Sequence, residues 1–126
     1  MHIDHLDHLV LTVASIEASC AFYTRVMGME KVVFGEGRVA LSFGQQKINL
    51  HPHHAELRPH ARVPQPGSAD LCFIARTPLA EVIAHLDACG VPVLEGPVAR
   101  TGATGPIRSV YFRDPDGNLI EVSNPA

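Results

Sequence analysis

Glu121 is the single carboxylate in the run Asn118–Ser123, NLIEVS. A carboxylate set among Leu119, Ile120 and Val122 is costly to bury unless a partner neutralises it. A divalent cation is such a partner, and the chain holds three further donors that could share it: His8, His51 and Asp70. Imidazole and carboxylate donors converging in a partly dry cleft suit Fe²⁺, Mn²⁺, Ni²⁺, Zn²⁺ or Co²⁺. Asp70 has the shortest reach, one methylene less than Glu, and would act through a bridging water. His8, His51 and Glu121 make a two-His, one-carboxylate set, which with open positions is the mark of non-haem Fe(II) oxygenases. Iron is therefore the favoured metal. Tyr111 adds a phenol that could hydrogen-bond a substrate oxygen or carry a proton. Arg38 and Arg108 could hold an anionic substrate.

These side chains need strands to carry them. Residues 6–13, LDHLVLTV, alternate, with Leu9, Leu11 and Val13 on one face and His8, Val10 and Thr12 on the other. Ser15 is a helix N-cap with Glu17 in the first turn. The helix runs to about Met27, offers Ile16, Cys20, Phe22, Tyr23 and Val26 for burial, and stops at Gly28. Strands follow at 30–34, 38–43 and 47–51, separated by glycine-containing turns. Residues 52–68, rich in Pro and His, form a connection. The second half repeats the order: a strand at 69–75, an N-cap at Thr77 with Pro78 at N1, and a helix whose Leu79, Val82, Ile83 and Leu86 share a face. A strand at 91–94, a Gly- and Pro-containing loop at 95–106 that could serve as a lid, and a hairpin of 107–113 with 118–123 complete it. Asp114-Pro115-Asp116-Gly117 is turn chemistry.

The halves superpose. A shift of 62 residues lays His8 on Asp70, Ser15 on Thr77 and Gly28 on Gly90; a shift of 70 lays Arg38 on Arg108 and His51 on Glu121. The chain therefore reads as an α+β fold of two βαβββ modules, module one about 1–55 and module two 69–126, in a single domain spanning 1–126. A helix covers one face of each sheet. His8, His51, Asp70 and Glu121 all fall on the opposite faces, which would converge if the sheets pair about a pseudo-twofold axis. Cys72 shares the face of Asp70 and is expected to pack rather than ligate.

Composition narrows the class. A net charge of −3 leaves no basic face for nucleic acid and no polybasic anchor for a membrane. The opening MHIDHLDHLV is acidic and His-rich, unlike a signal peptide, and three cysteines without metal-type spacing fit reduced thiols in a cytoplasmic protein.

Three segments carry a resemblance: DHLVLTV, FYTRVMGM and, most specifically, FRDPDGNLIE. With them the chain resembles the vicinal oxygen chelate superfamily, which includes glyoxalase I, fosfomycin and bleomycin resistance proteins and extradiol dioxygenases. FGQQKINLH and GSADLCFIA further resemble its small glyoxalase-domain and virulence-type members. The resemblance implies paired βαβββ modules in a homodimer, and metal ligands at His8, His51, Asp70 and Glu121. It also implies bidentate capture of a substrate's adjacent oxygens by the metal. Two departures bear on the reaction. Thr12 stands where glyoxalase I commonly has an Arg for glutathione's carboxylate, and Asp70 stands where dioxygenases and fosfomycin enzymes have His. Tyr111 falls where extradiol dioxygenases place an active-site Tyr, while a second-sphere His is matched only by location, at His53, His54 or His60. The favoured expectation is thus an Fe(II) oxygenase acting on a small molecule with adjacent oxygens, such as a catechol. A glyoxalase-like lyase or isomerase stands second, and a metal-free drug or metabolite binder third.

Overall fold

The computed structural model describes all residues, Met1–Ala126, and they form two compact units, Met1–Pro66 and Gly67–Ala126. The boundary falls inside the expected connection. Each unit is one βαβββ module with a mixed four-stranded sheet.

In the first unit the strands are β1 (His8–Val13), β2 (Glu30–Phe34), β3 (Arg38–Phe43) and β4 (Gln46–Pro52), in the order β1-β4-β3-β2. The helix α1 (Ile16–Arg25) starts as expected: the Ala18 N–H donates to Ser15 Oγ at 3.1 Å, satisfying one otherwise orphaned donor. Alternation in β1, β3 and β4 puts Leu11, Val13, Leu41, Ile48 and Leu50 on one buried face, where Cys20, Tyr23 and Val26 of α1 join the core. His8, Val10 and Thr12 lie on the other face, opposite Lys47, Asn49 and His51 respectively.

In the second unit the order is β5-β8-β7-β6, from β5 (Asp70–Ile74), β6 (Glu95–Gly102), β7 (Gly105–Arg113) and β8 (Leu119–Pro125), with α2 at Leu79–Ala88. The core pairs Leu86 of α2 with Val110, Phe112, Ile120 and Val122. Three sequence-based assignments change here. Residues 91–94 are not a strand; the unit's second strand is Glu95–Gly102, and the expected loop shrinks to the turn at Ala103-Thr104. Val98, Ala99 and Arg100 pair with β7 in antiparallel register, so backbone bonding to a neighbouring strand outweighs the Gly and Pro content that reads as loop. Gly96 explains its own place: at φ +113° a Cβ would stand 2.4 Å from the Ser109 carbonyl oxygen. Third, Thr77 does not cap α2. Pro78 occupies the N-cap without a side-chain bond, and Asn124 of β8 does the work, accepting from the Leu79 N–H at 2.7 Å.

The Asp114–Gly117 turn is tied down by its own acids. Asp114 Oδ1 accepts from the N–H groups of Asp116 and Asn118, both at 2.9 Å, and Oδ2 accepts from Asn118 Nδ2 at 2.8 Å. Asn118 Oδ1 in turn accepts from the Ala69 N–H at 2.9 Å, joining the start of β5 to the start of β8. This turn aims Glu121.

Register corrects the match between halves. His8 pairs with Lys47 and Asp70 with Leu119, so Asn49, not His51, is the counterpart of Glu121, and His51 corresponds to Ser123. Tyr111 pairs with Glu121 as Ala40 pairs with Asn49, so Arg38 corresponds to Ser109, not Arg108. The cause is turn length: two residues separate Phe43 from Gln46, while three separate Asp114 from Asn118, which are bonded through backbone groups. One shift of 70 cannot serve both strands that flank a turn of unequal length. Slipping a strand by one residue exchanges faces, which is what happened to Arg108; slipping by two keeps the face and moves the residue along it, as for His51.

Candidate functional site

Glu121 sits at the centre of the open face of the second sheet, the face turned away from α2. Its row is Glu95, Tyr111, Glu121, Cys72, each the direct cross-strand partner of the next. Directly opposite residues on one face hold their side chains in contact. The lone acid is indeed paired, but by hydroxyls. Ser109 Oγ donates to Glu121 Oε2 at 2.5 Å, Ser123 Oγ donates to the same oxygen at 3.3 Å, and the two serine oxygens stand 2.6 Å apart. Both serines are fully buried. One carboxylate oxygen is therefore clamped by two hydroxyls, and the Cys72 thiol lies within hydrogen-bonding reach of the carboxylate. A carboxylate anchored through one oxygen presents the second in a fixed direction, which is how outer hydrogen bonds orient a metal ligand.

Tyr111 is held beside it. Arg100 Nε donates to the phenol oxygen at 2.9 Å, the guanidinium carbon lies 5.4 Å from the ring centroid, and Arg100 Nη2 donates to Glu95 Oε1 at 3.3 Å. The phenol oxygen and Glu95 together hold the Arg100 cation above its ordinary, already high, pKa. With its oxygen occupied as an acceptor, the phenol keeps its own O–H to donate. Cys72 is not a packing residue: it is exposed, with Sγ 3.4 Å from Ser123 Oγ. Partial burial of the sulfur raises its pKa; the nearby Glu121 and Asp70 carboxylates add to this and the Ser123 hydroxyl opposes it. Asp70 is exposed and opposes Leu119, one row from Glu121. Arg108 shares the face of Val110 and Phe112, the side that α2 covers, and is exposed at its end. Its expected role in binding substrate on the Glu121 face is therefore withdrawn.

On the first unit His8 is exposed, and its Nδ1 bonds Asp7 Oδ2 at 2.8 Å, leaving Nε2 outward. The imidazole holds the fully exposed Asp7 carboxyl below its ordinary pKa, first through this hydrogen bond. A carboxylate on one ring nitrogen and a free second nitrogen is the arrangement of a ligating histidine. His51 is elsewhere on that face. It pairs with Thr12, four residues beyond His8 along β1, or about 13 Å at the rise of a strand. Two imidazoles that far apart cannot grip one ion, so His8 and His51 of one chain do not share a metal. Neither unit by itself gathers three or more His, Cys, Asp or Glu side chains in position to hold a metal ion. His53 bonds Glu56 at 3.3 Å and His60 bonds the Ala61 carbonyl at 2.8 Å; both are loop interactions within the first unit.

The match to a family model covers residues 5–122 and is described as the Glyoxalase/Bleomycin resistance protein/Dioxygenase superfamily. The chain belongs to that superfamily. Among its relatives is the virulence protein STM3117 of Salmonella typhimurium, 55% identical over 123 residues that cover 98% of this chain and 85% of the relative. The crystal structure of that protein matches with a TM-score of 0.99 at 54% identity, over 100% of both chains. The glyoxalase domain-containing protein RDO1 of Mycosarcoma maydis is 56% identical over 119 residues, 94% of this chain and 67% of that one. At a greater distance, the structure of a lactoylglutathione lyase from Agrobacterium tumefaciens is 28% identical with a TM-score of 0.74, over 98% of this chain and 95% of that one. The superfamily includes metal-dependent enzymes, and the His8 imidazole and the Glu121 carboxylate are each, in their own unit, a donor type that divalent ions take.

The sequence singles out Glu121, Tyr111 and His8 as candidates but does not point to Ser109, Ser123, Arg100 and Glu95, which the structure sets around Glu121 and Tyr111, or to Asn49, the register counterpart of Glu121. The serines carried a readable signal, since Ser109 and Tyr111, and Glu121 and Ser123, alternate onto one face. Arg100 carries no such signal, because the Gly and Pro content of β6 reads as loop.

Proposed function

We propose that this chain is a divalent-metal-dependent enzyme of the superfamily, acting on a small molecule that offers two adjacent oxygens, with lyase or isomerase chemistry beside a carbonyl. The observation that carries the reading is Glu121 with one oxygen clamped by Ser109 and Ser123, next to an Arg100-held phenol. His8 and Glu121 are the proposed metal ligands, with Asp70 as the acid that acts through water. When bound, the metal supplies Lewis-acid polarisation of the substrate oxygens. Glu121 is the group that accepts and returns a proton next to that carbonyl, and its serine clamp keeps it aimed. Tyr111 donates its O–H to the substrate oxygen, while Arg100 fixes the direction of that bond. Likeness to the lactoylglutathione lyase supports this class of chemistry. Thr12 argues for a thiol carrier other than glutathione, since a hydroxyl cannot form the bidentate pair an Arg gives to a carboxylate.

An Fe(II) oxygenase is the second reading, favoured by Tyr111 standing directly beside Glu121. It loses weight because His51 is out of reach of His8. A metal-free binder is the third. We propose a homodimer as the working form, with Arg38 and Thr12 facing the substrate. No helix is long and apolar enough to cross a membrane.

Elemental analysis of untagged protein, followed by anaerobic assay of methylglyoxal with glutathione and with other thiols, tests the lead. Metal-dependent turnover without oxygen supports it. Oxygen uptake with catechols and no turnover of oxoaldehydes moves the assignment to the oxygenase. A protein that neither carries nor retains metal is the binder.

A further inference from the structure

Two cations of the first unit meet on one aromatic ring. Lys47 Nζ lies 3.9 Å from the centre of the Phe34 ring, and the Arg38 guanidinium carbon lies 4.9 Å from it. Register puts all three on the face turned away from α1. Phe34 pairs directly with Arg38, and Lys47 pairs with Ser42, which shares the Arg38 side of β3. The Arg38 and Ser42 rows are four residues apart, about 13 Å at the rise of a strand. To reach the ring, Lys47 lies along the sheet, across the row of Val32, Ala40 and Asn49, instead of standing out into solvent.

Neither charge is neutralised. No carboxylate stands within ion-pair distance of Arg38 or Lys47, and neither side chain donates a hydrogen bond within the protein. The neighbouring acids are engaged or elsewhere. Asp7, which feels the Lys47 charge, bonds His8, and Glu56 bonds His53 and the His54 N–H. Glu30 is exposed in the row of Ser42, the row that the Lys47 ammonium leaves. A ring face attracts a cation through its quadrupole without cancelling the charge. It also leaves the donors uncommitted: a guanidinium keeps its N–H groups in its own plane, and an ammonium keeps those pointing away from the ring. Like charges gathered at one ring repel, and an anion that reaches both offsets the repulsion. Arg38 is exposed and Phe34 and Lys47 are half-buried, so the donors are open to solvent.

We propose that Arg38 and Lys47, held on Phe34, form a binding subsite for the phosphoryl dianion of a small phosphate monoester. Two unneutralised charges call for a dianion, and a monoester carries about −1.5 to −2 at pH 7 with three acceptor oxygens. Two oxygens take the Arg38 fork and the third takes the Lys47 ammonium, each at roughly 2.7–2.9 Å. A carboxylate has a single charge and two oxygens, enough for the fork alone. The subsite lies wholly on the first unit. It goes beyond the proposed function, in which Arg38 faces a substrate of unspecified charge. Binding is read without turnover, so neither metal content nor the reaction class bears on it.

The test titrates the full chain with methyl phosphate at pH 8 and fixed ionic strength, with dimethyl phosphate and acetate as singly charged controls. NMR follows the Arg38 Nε–H, the Lys47 Nζ and the Phe34 ring. Saturable shifts at all three are expected with methyl phosphate, about ten-fold tighter or more than with either control. Affinity is expected to fall about ten-fold or more in Arg38→Gln and in Lys47→Gln, the loss of one charge-assisted bond. Shifts that do not saturate, equal binding of a control, or unchanged affinity in either variant overturns the proposal. If a Gln variant loses the fold, Arg38→Lys serves instead. It keeps the charge and removes the fork, so methyl phosphate is expected to bind more weakly, and unchanged affinity overturns the assignment.

Discussion

Asn118→Ala isolates the bond network that aims Glu121. The side chain is fully buried and makes two bonds: it accepts from the Ala69 N–H at 2.9 Å and donates to Asp114 Oδ2 at 2.8 Å. Truncation leaves the Ala69 N–H without this acceptor and takes one donor from Asp114 Oδ2. At about 1–3 kcal/mol for the orphaned N–H, the expected loss is about 1–3 kcal/mol. The backbone bonds of Asp116 and Asn118 to Asp114 Oδ1 survive, so the turn itself should persist. Urea unfolding followed by far-ultraviolet circular dichroism measures the loss, and amide hydrogen exchange at Ala69 locates it. Asn118→Asp is the informative companion. It keeps an oxygen for Ala69 but sets a second carboxylate against Asp114, so it should be worse than Ala at pH 7 and recover as acid supplies a shared proton. A loss under about 1 kcal/mol in Asn118→Ala, or an Asn118→Asp chain indifferent to pH, would refute the reasoning that these bonds carry the junction.

Other outcomes follow from the same geometry. Ser109→Ala removes the shorter of the two hydroxyl bonds to Glu121 Oε2 and should weaken divalent-metal affinity about 10–100-fold, read by competition with a chromogenic chelator. Arg100→Ala should lower kcat about ten-fold while leaving metal affinity unchanged, and Arg100→Lys should not restore it, because an ammonium lacks the fork that spans Tyr111 and Glu95. The His51 pKa is lowered on folding, so the unfolded chain binds the extra proton first. Its contribution to stability is present above pH 6.5 and is lost as pH falls towards the folded value. Calorimetry between pH 8 and 5 should show a decline of at most about 1.4 kcal/mol per pH unit from this group, and the decline should flatten in His51→Gln.

Much of the fold was legible because its signals are local. The alternation of β1, the Ser15 cap and the apolar face of α2 each depend on a few neighbouring residues. The α2 cap was not legible, because Asn124 reaches Leu79 from a strand 45 residues away. Site residues were legible in proportion to their register. Glu121 and Tyr111 flank a turn whose chemistry is plain in Asp114–Gly117, so their shared face could be inferred. The positions of His51 and Arg108 depend on turns of different length in the two halves, where one residue exchanges the face and two displace the side chain along it. Arg100 depends on β6, whose Gly and Pro content conceals a strand stabilised by pairing with β7 rather than by its own propensity.

The hairpin from β6 into β7 also constrains how sequences of this kind can drift. Arg100 reaches Tyr111 only because the ladder runs unbroken from Val98 against Ser109 to Gly102 against Gly105. Lengthening or shortening β6 by a single position within that ladder would turn the guanidinium to the opposite side and leave the phenol unheld, while the backbone pairing closed up almost as before. Indels there should be tolerated in pairs, or at the Ala103-Thr104 tip, and a descendant with an odd change should have surrendered its arginine–tyrosine contact even if it still folds.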